Sequence, residues 1–192
     1  MEIEAKIKLK DPAKLRNMLQ AIGAKCEGSV LEKNWLFDHP ERTLLKQDKL
    51  LRLREEETVY LTFKGPRQQS EYKKREELQV EFPDASSARS LLRSIGFVQW
   101  FYYEKVREKW THETAEVALD ELPGLGLFVE VEAPSDKEIE AVRKRLKLPR
   151  DYINSSYVEL LQDHGRDIIQ GKHQFQFPKN FQSALEKFRN GS

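Results

Sequence analysis

Glu2-Ile3-Glu4-Ala5-Lys6-Ile7-Lys8 opens the chain with ionic and apolar side chains on strictly alternate positions. Side chains of a strand point alternately to its two faces, so this stretch stacks two carboxylates and two ammoniums on one face and Ile3, Ala5 and Ile7 on the other. Burying an unpaired ion costs several kcal/mol. If such a face is enclosed, it calls for a highly charged ligand or a metal ion to neutralise it.

The same period-2 pattern recurs along the chain. Leu51 and Leu53 alternate with Arg52 and Arg54, and Val59, Leu61 and Phe63 alternate with Tyr60, Thr62 and Lys64. Leu78, Val80 and Phe82 oppose Arg75, Glu77, Gln79 and Glu81. Val106 and Trp110 oppose Lys105, Arg107 and Lys109. Val117 and Leu119 oppose Glu116 and Asp120, and after a turn over Pro123 to Gly126, Leu127, Val129 and Val131 oppose Glu130 and Glu132. Helix signals interrupt the strands. Asp11-Pro12 is an N-cap with a first-turn proline ahead of Leu15, Met18, Leu19 and Ile22, closed by Gly23. Asp84 starts a second helix carrying Leu91, Leu92 and Ile95. Ser135 with Glu138 is a capping box for a third, with Ile139, Val142 and Leu146, and Ser156 with Glu159 is another. The polar Gly65 to Lys74 loop is placed to close over a ligand.

Alternating charge has two structural outcomes. An open antiparallel sheet leaves its charged face in water. If instead the sheet closes on itself, the apolar stripes of the capped helices cover its outside and the charged faces line a tunnel, an α+β fold built on a closed antiparallel β-barrel. In such a lumen Glu2, Glu4, Asp120, Glu130 and Glu132 offer hard oxygen ligands for Mg²⁺ or Mn²⁺. Lys6, Lys8, Arg52, Arg54, Lys64, Lys105 and Arg107 offer cationic donors. A metal-bound polyphosphate needs both sets.

Six ordered segments carry a family resemblance: Glu2-Ile-Glu-Ala-Lys6, Leu51-Arg-Leu-Arg54, Phe63-Lys-Gly-Pro66, Glu104-Lys-Val-Arg107, Leu119-Asp120 leading into Gly124-Leu-Gly126, and Phe128-Val-Glu130-Val-Glu132. Together they resemble the CYTH superfamily of class IV adenylyl cyclases and thiamine triphosphatases, the triphosphate tunnel metalloenzymes. The resemblance implies an eight-stranded antiparallel tunnel around a small-molecule triphosphate, ATP or tripolyphosphate. It implies metal ligation by Glu2, Glu4, Asp120, Glu130 and Glu132, and phosphate binding by the seven cations. The catalytic contacts it implies are those of Glu2, Glu4, Lys6, Arg52, Arg54 and Arg107. Lys64-Gly65-Pro66 and the Ser156-Tyr157 helix start are closest to the cyclase branch, which makes cyclic AMP and pyrophosphate from ATP; hydrolysis of a triphosphate is the alternative. Ser155 stands where that branch often has an Arg. The resemblance also implies homodimers as one assembly state. Lys10, Lys109 and Glu116 fall near strand ends and are assigned to solvent.

Composition narrows the function classes. Lys plus Arg number 33 against 32 Asp plus Glu, a net charge of +1, which disfavours nucleic acid as a partner. Charged residues make up 34% of the 192, above the usual ~25%, so both signs are sorted locally. No apolar run is long enough to span a membrane, and a cytoplasmic location is expected. Cys26 is the single cysteine and is expected to be buried near a helix end. His39, His112, His164 and His173 have no ligand spacing. There is no Gly-x4-Gly-Lys-Ser/Thr loop for ATP. A non-catalytic polyphosphate binder remains as a second class, although five central carboxylates serve an anion receptor only if they carry metal. An RNA-binding barrel stacking bases on Trp100 to Tyr103 is a third, opposed by the near-neutral charge. The tunnel domain is expected over 1–164, with 165–192 an extension, partly helical or disordered, in which Asn180 caps a short helix bearing Phe181, Leu185 and Phe188.

Overall fold

In the computed structural model, which describes residues 2–68, 72–168 and 174–177, one continuous sheet wraps around a lumen. Its strands are β1 (Glu2–Lys8), β2 (Lys25–Asp38), β3 (Leu50–Glu55), β4 (Val59–Lys64), β5 (Lys73–Arg75), β6 (Glu77–Phe82), β7 (Val98–His112), β8 (Ala115–Leu122) and β9 (Gly126–Ala133). Neighbours run β5-β1-β9-β8-β7-β2-β3-β4-β6, each pair antiparallel. Glu76 alone separates β5, paired with β1, from β6, paired with β4. The two therefore act as one bent strand that closes the circle, giving the eight walls expected. A short β10 (Gln174–Phe175) adds in parallel to β7.

Helices seal the outside and one end. Asp11 caps α1 (Pro12–Ala21) by accepting from the Lys14 amide, and Gly23 ends the helix region at φ +77. Ser135 and Glu138 cap α4 (Asp136–Arg145) reciprocally. The stripes Leu15 and Leu19, and Ile139, Val142 and Leu146, bury Ile3, Ala5 and Ile7 of β1 together with Val117, Leu119, Val129 and Val131. Arg16 forks onto Glu108 at 3.0 and 3.1 Å, fastening α1 to β7. α3 (Ala85–Ser94), capped by Asp84, lays Ala88 and Leu92 over Trp35, Phe37, Leu51 and Leu53. A single turn, α2 (Thr43–Lys46), is held by buried Asp38, which accepts from the Leu44 and Leu45 amides. α5 (Tyr157–Ile168) starts at the Ser156–Glu159 box and packs Tyr157, Val158 and Leu161 on Leu36, Phe101, Leu122 and Phe128, across one end of the barrel.

Three expectations change. Cys26 is exposed: it lies at the start of β2, where the long β2–β7 ribbon is broken by a bulge before Gly28. Leu78 and Val80 of β6 face outward as the pattern requires, yet each is about 60% exposed because α3 covers β3 more than the edge of the wall formed by β6. Leu91 of α3 and Ile95 at its C-cap are likewise about half-exposed or more. The sequence pattern also passed over β2, at 14 residues one of the two longest strands. The helix expected at Asn180 lies outside the described residues, as do the side chain of Glu2 and His173.

Candidate active site

Along each strand the inward positions form tiers. From the end closed by α5 toward the other mouth they read Leu50, Arg52, Arg54 on β3; Tyr103, Lys105, Arg107, Lys109 on β7; Phe128, Glu130, Glu132 on β9; and Lys6, Glu4 on β1. All of these side chains but Phe128, which packs against α5, join Lys64, Arg75, Glu77, Gln79, Glu116 and Tyr157 in lining one cavity of about 310 Å³. A cavity of that size suits a small molecule.

Acids cluster on the β1–β9 wall. Carboxylate oxygens of Glu4, Glu130 and Glu132 lie within 4.8 Å of one another, and Glu4 and Glu130 are buried. Their Cα partners across the ladder explain the meeting: Glu4 pairs with Glu132 and Lys6 with Glu130. Like charges so close are tolerated because Lys6 Nζ stands 3.0 Å from Glu4 and 3.1 Å from Glu130, and donates to the Ser155 carbonyl at 3.2 Å. That carbonyl is presented by the irregular segment before α5, which is anchored by Ile153 N–H donating to the Lys6 carbonyl. Burial alone would lower the Lys6 pKa, but Glu4 and Glu130 outweigh it and hold it well above the ordinary lysine value. Three hard, converging carboxylates already matched to a cation fit Mg²⁺ or Mn²⁺.

The cations face them from the other walls. Arg52 and Arg54 project from β3 and Lys64 from β4, with Lys64 ion-paired to Glu77. On β7, Arg107 forks onto Asp120 at 2.7 and 2.6 Å and also reaches Glu130. Lys105 donates to Asp120 at 3.2 Å. Asp120 is thus engaged by Arg107, Lys105 and the Tyr157 hydroxyl (2.8 Å) and is not part of the three-glutamate cluster, to whose Glu130 Arg107 links it. Lys8 is also apart: it is exposed, lies over the Phe128 ring and donates to the Leu125 carbonyl. Of the residues singled out from sequence, the lumen brings together Glu4, Lys6, Arg52, Arg54, Lys64, Lys105, Arg107, Glu130 and Glu132.

Several residues in or behind the lumen wall were not among the site residues expected from sequence. Lys109 and Glu116, assigned to solvent above, line the cavity mouth, where Lys109 pairs with Glu56 at 2.7 Å. Arg75 and Gln79 line its β5–β6 side. Glu32 and Asn34 of β2 are fully buried beneath the cations. Glu32 lies 3.3 Å from Lys105, 3.7 Å from Arg107 and 3.9 Å from Arg54. Burial would raise its carboxyl, but Lys105, Arg107, Arg54 and Arg52 outweigh this and lower it to about 2. Tyr157 faces inward from α5 with its ring 4.2 Å from Lys6 Nζ, and burial beside Asp120 raises its phenol well above the usual value. The alternating acids and bases of β3 and β4 signalled the walls; nothing comparable marks Glu32, because its strand reads Trp35-Leu36-Phe37 without alternation.

The CYTH domain model matches residues 1–157. The chain belongs to the CYTH family. Among relatives of this CYTH protein, a candidate adenylate cyclase of Methanocaldococcus jannaschii, MJ0240, is 31% identical over 171 residues, covering 83% of this chain and 98% of that one. The solved structure of the PH1819 protein from Pyrococcus horikoshii is 27% identical, with a TM-score of 0.74 over 85% of this chain and 99% of its own. That of a candidate adenylate cyclase from Vibrio parahaemolyticus is 26% identical, with a TM-score of 0.76 over 84% of this chain and 97% of its own. No helix among the described residues is long and apolar enough to cross a membrane.

Proposed function

We propose that this CYTH protein is a divalent-metal-dependent enzyme acting on a triphosphate, and that it converts ATP to cyclic AMP and pyrophosphate. The observation that carries the first part is the juxtaposition, in one enclosed lumen, of the Glu4–Glu130–Glu132 cluster with Arg52, Arg54, Lys64, Lys105 and Arg107. A receptor for anions alone gains nothing from converging carboxylates. Glu4, Glu130 and Glu132 would hold the metal; when bound, Mg²⁺ or Mn²⁺ supplies charge neutralisation on phosphate oxygens.

The arginines fork onto pairs of phosphate oxygens, and the lysines contribute mobile point charges. Lys6 and Arg107 already contact the acids, so each can pass from a carboxylate to a phosphate oxygen without crossing the lumen. In cyclisation the ribose 3′-oxygen forms a bond to the α-phosphorus, the bond from that phosphorus to the bridging oxygen breaks, and the hydroxyl proton passes to water or to the departing pyrophosphate. Charge grows on the departing pyrophosphate, and the cationic wall is placed to offset it. The cyclase names of the M. jannaschii and V. parahaemolyticus relatives, Lys64-Gly65-Pro66 and the inward Tyr157 support this reaction.

Hydrolysis of the terminal phosphate is the second reading, favoured by the order of the tiers. Leu45, Leu50 and Val158 offer apolar surface at the end closed by α5, beside Asp48, Lys49 and Glu159, and Glu4 and Glu132 lie toward the opposite mouth. An organic group seated at Leu50 would direct its terminal phosphate toward those acids. Incubation of the purified protein with ATP, tripolyphosphate or thiamine triphosphate, each with Mg²⁺ or Mn²⁺, separates the readings. Cyclic AMP with pyrophosphate supports the cyclase, orthophosphate release the hydrolase, and binding without turnover overturns both.

A further inference from the structure

β2 contributes no residue to the cavity lining, yet it runs between the two cation-bearing strands, paired with β7 on one side and β3 on the other. From that position Glu32 reaches cations of both: Lys105 and Arg107 from β7 and Arg54 from β3, at 3.3 to 3.9 Å. Its side chain is wholly buried, and neither carboxylate oxygen makes a hydrogen bond among the described residues. A carboxylate used as a structural fork takes up donors directly, as Asp120 does from Arg107. Glu32 instead supplies charge without consuming N–H groups, so Lys105 keeps its donors for Asp120 and the lumen, and Arg54 keeps its own for Glu56 at 3.4 Å and the lumen. Without a central anion, three cations converging at this depth would repel one another and splay.

We propose that Glu32 is a positioning residue for the triphosphate: a buried counter-charge that holds Arg54, Lys105 and Arg107 at the spacing in which they grip phosphate oxygens. The inference rests on the triphosphate reading above. It deepens that reading by separating the cations that touch the ligand from the anion that arranges them. Glu32 opposes ligand binding, since it is a negative charge beneath a polyanion, and promotes turnover by keeping the donors in register.

Two consequences distinguish this role from simple packing. In E32Q the shape is kept and the charge is lost. A unit charge removed about 10 Å from a phosphate, in an effective dielectric near 20, corresponds to about tenfold tighter binding. Calorimetric titration with tripolyphosphate in chelator reads this without turnover. Turnover should show KM and kcat falling together, the pattern of a tighter but less ordered ground state. In E32D the charge stays and the carboxylate retracts by about 1.5 Å, so affinity should remain within about twofold while kcat falls.

The proposal is overturned if folded E32Q, judged by circular dichroism, binds tripolyphosphate no more tightly than the parent. Should E32Q fail to fold, E32D decides: parental kcat there overturns the proposal, and reduced kcat at parental affinity supports it. If the parent protein itself binds no tripolyphosphate, the tunnel reading fails first and takes this inference with it.

Discussion

Replacing Lys6 by Met should convert the lumen from a neutralised acid cluster into a strained one that a divalent ion relieves. Met matches the length of the lysine stem but leaves Glu4 and Glu130, both buried, without the ammonium at 3.0 and 3.1 Å. Breaking a buried ion pair from one side costs about 3–5 kcal/mol. For a domain of this size, each kcal/mol shifts Tm by about 2–4 °C, so K6M should melt on the order of 10 °C lower at pH 7 in chelator. Two recoveries follow. With Lys6 gone, the clustered carboxylates are protonated more readily in the folded than in the unfolded chain, so K6M should regain stability as pH falls toward about 5. Mn²⁺ should also raise the Tm of K6M by more than it raises that of the parent, because the ion no longer competes with the ammonium. Melting followed by circular dichroism, with EDTA or MnCl₂, checks both. A Tm for K6M within about 2 °C of the parent in EDTA, or an equal Mn²⁺ shift in the two proteins, would refute the pairing argument.

Other expectations concern single groups. The Glu32 carboxyl is lowered from its ordinary 4.5 to about 2, so its contribution is complete above 4.5 and lost as pH falls from there to about 2. That contribution is about 3 kcal/mol at neutral pH, and urea titrations from pH 6 to 3 should show an acid limb in the parent that is reduced in E32Q. Y157F removes the 2.8 Å hydrogen bond to buried Asp120 but keeps the ring against Lys6, and should cost about 1–3 kcal/mol in urea denaturation. L53A, at a fully buried site under α3, should cost about 2–5 kcal/mol, whereas L78A on the exposed face of β6 should stay within about 1 kcal/mol. Equal losses at the two positions would contradict the assignment of outer faces.

How much of this was readable from residues alone depended on whether a strand has one wet or charged face. β1, β3, β4, β8 and β9 alternate because one side meets helices and the other meets the charged lumen, and their inward residues could be named by number. The capping boxes of α4 and α5 were equally plain, being local hydrogen bonds between residues three apart. Where α5 enters the barrel end, both faces of a strand are apolar and the period disappears. Trp35-Leu36-Phe37 in β2 and Trp100 to Tyr103 in β7 are continuous apolar or aromatic runs for that reason, and with β2 hidden, Glu32 and Asn34 were hidden too. The engagement of Asp120 by Arg107, Lys105 and Tyr157 rests on contacts that span strands and a helix far apart in sequence. Alternation tells that Asp120 faces inward and nothing about which inward neighbour wins. The single exposed cysteine follows similarly from a β2–β7 overhang that no local signal marks.

The central claim is that acids from both ends of the chain and bases from its middle converge on one metal-bound triphosphate inside the barrel. A crystal grown with MnCl₂ and tripolyphosphate, with data collected at the manganese edge, tests it directly. The account predicts an anomalous peak ligated by Glu4, Glu130 and Glu132, with phosphate density between it and Arg52, Arg54 and Lys105. Manganese bound elsewhere, or phosphate lying on the outer surface of the barrel, would contradict it.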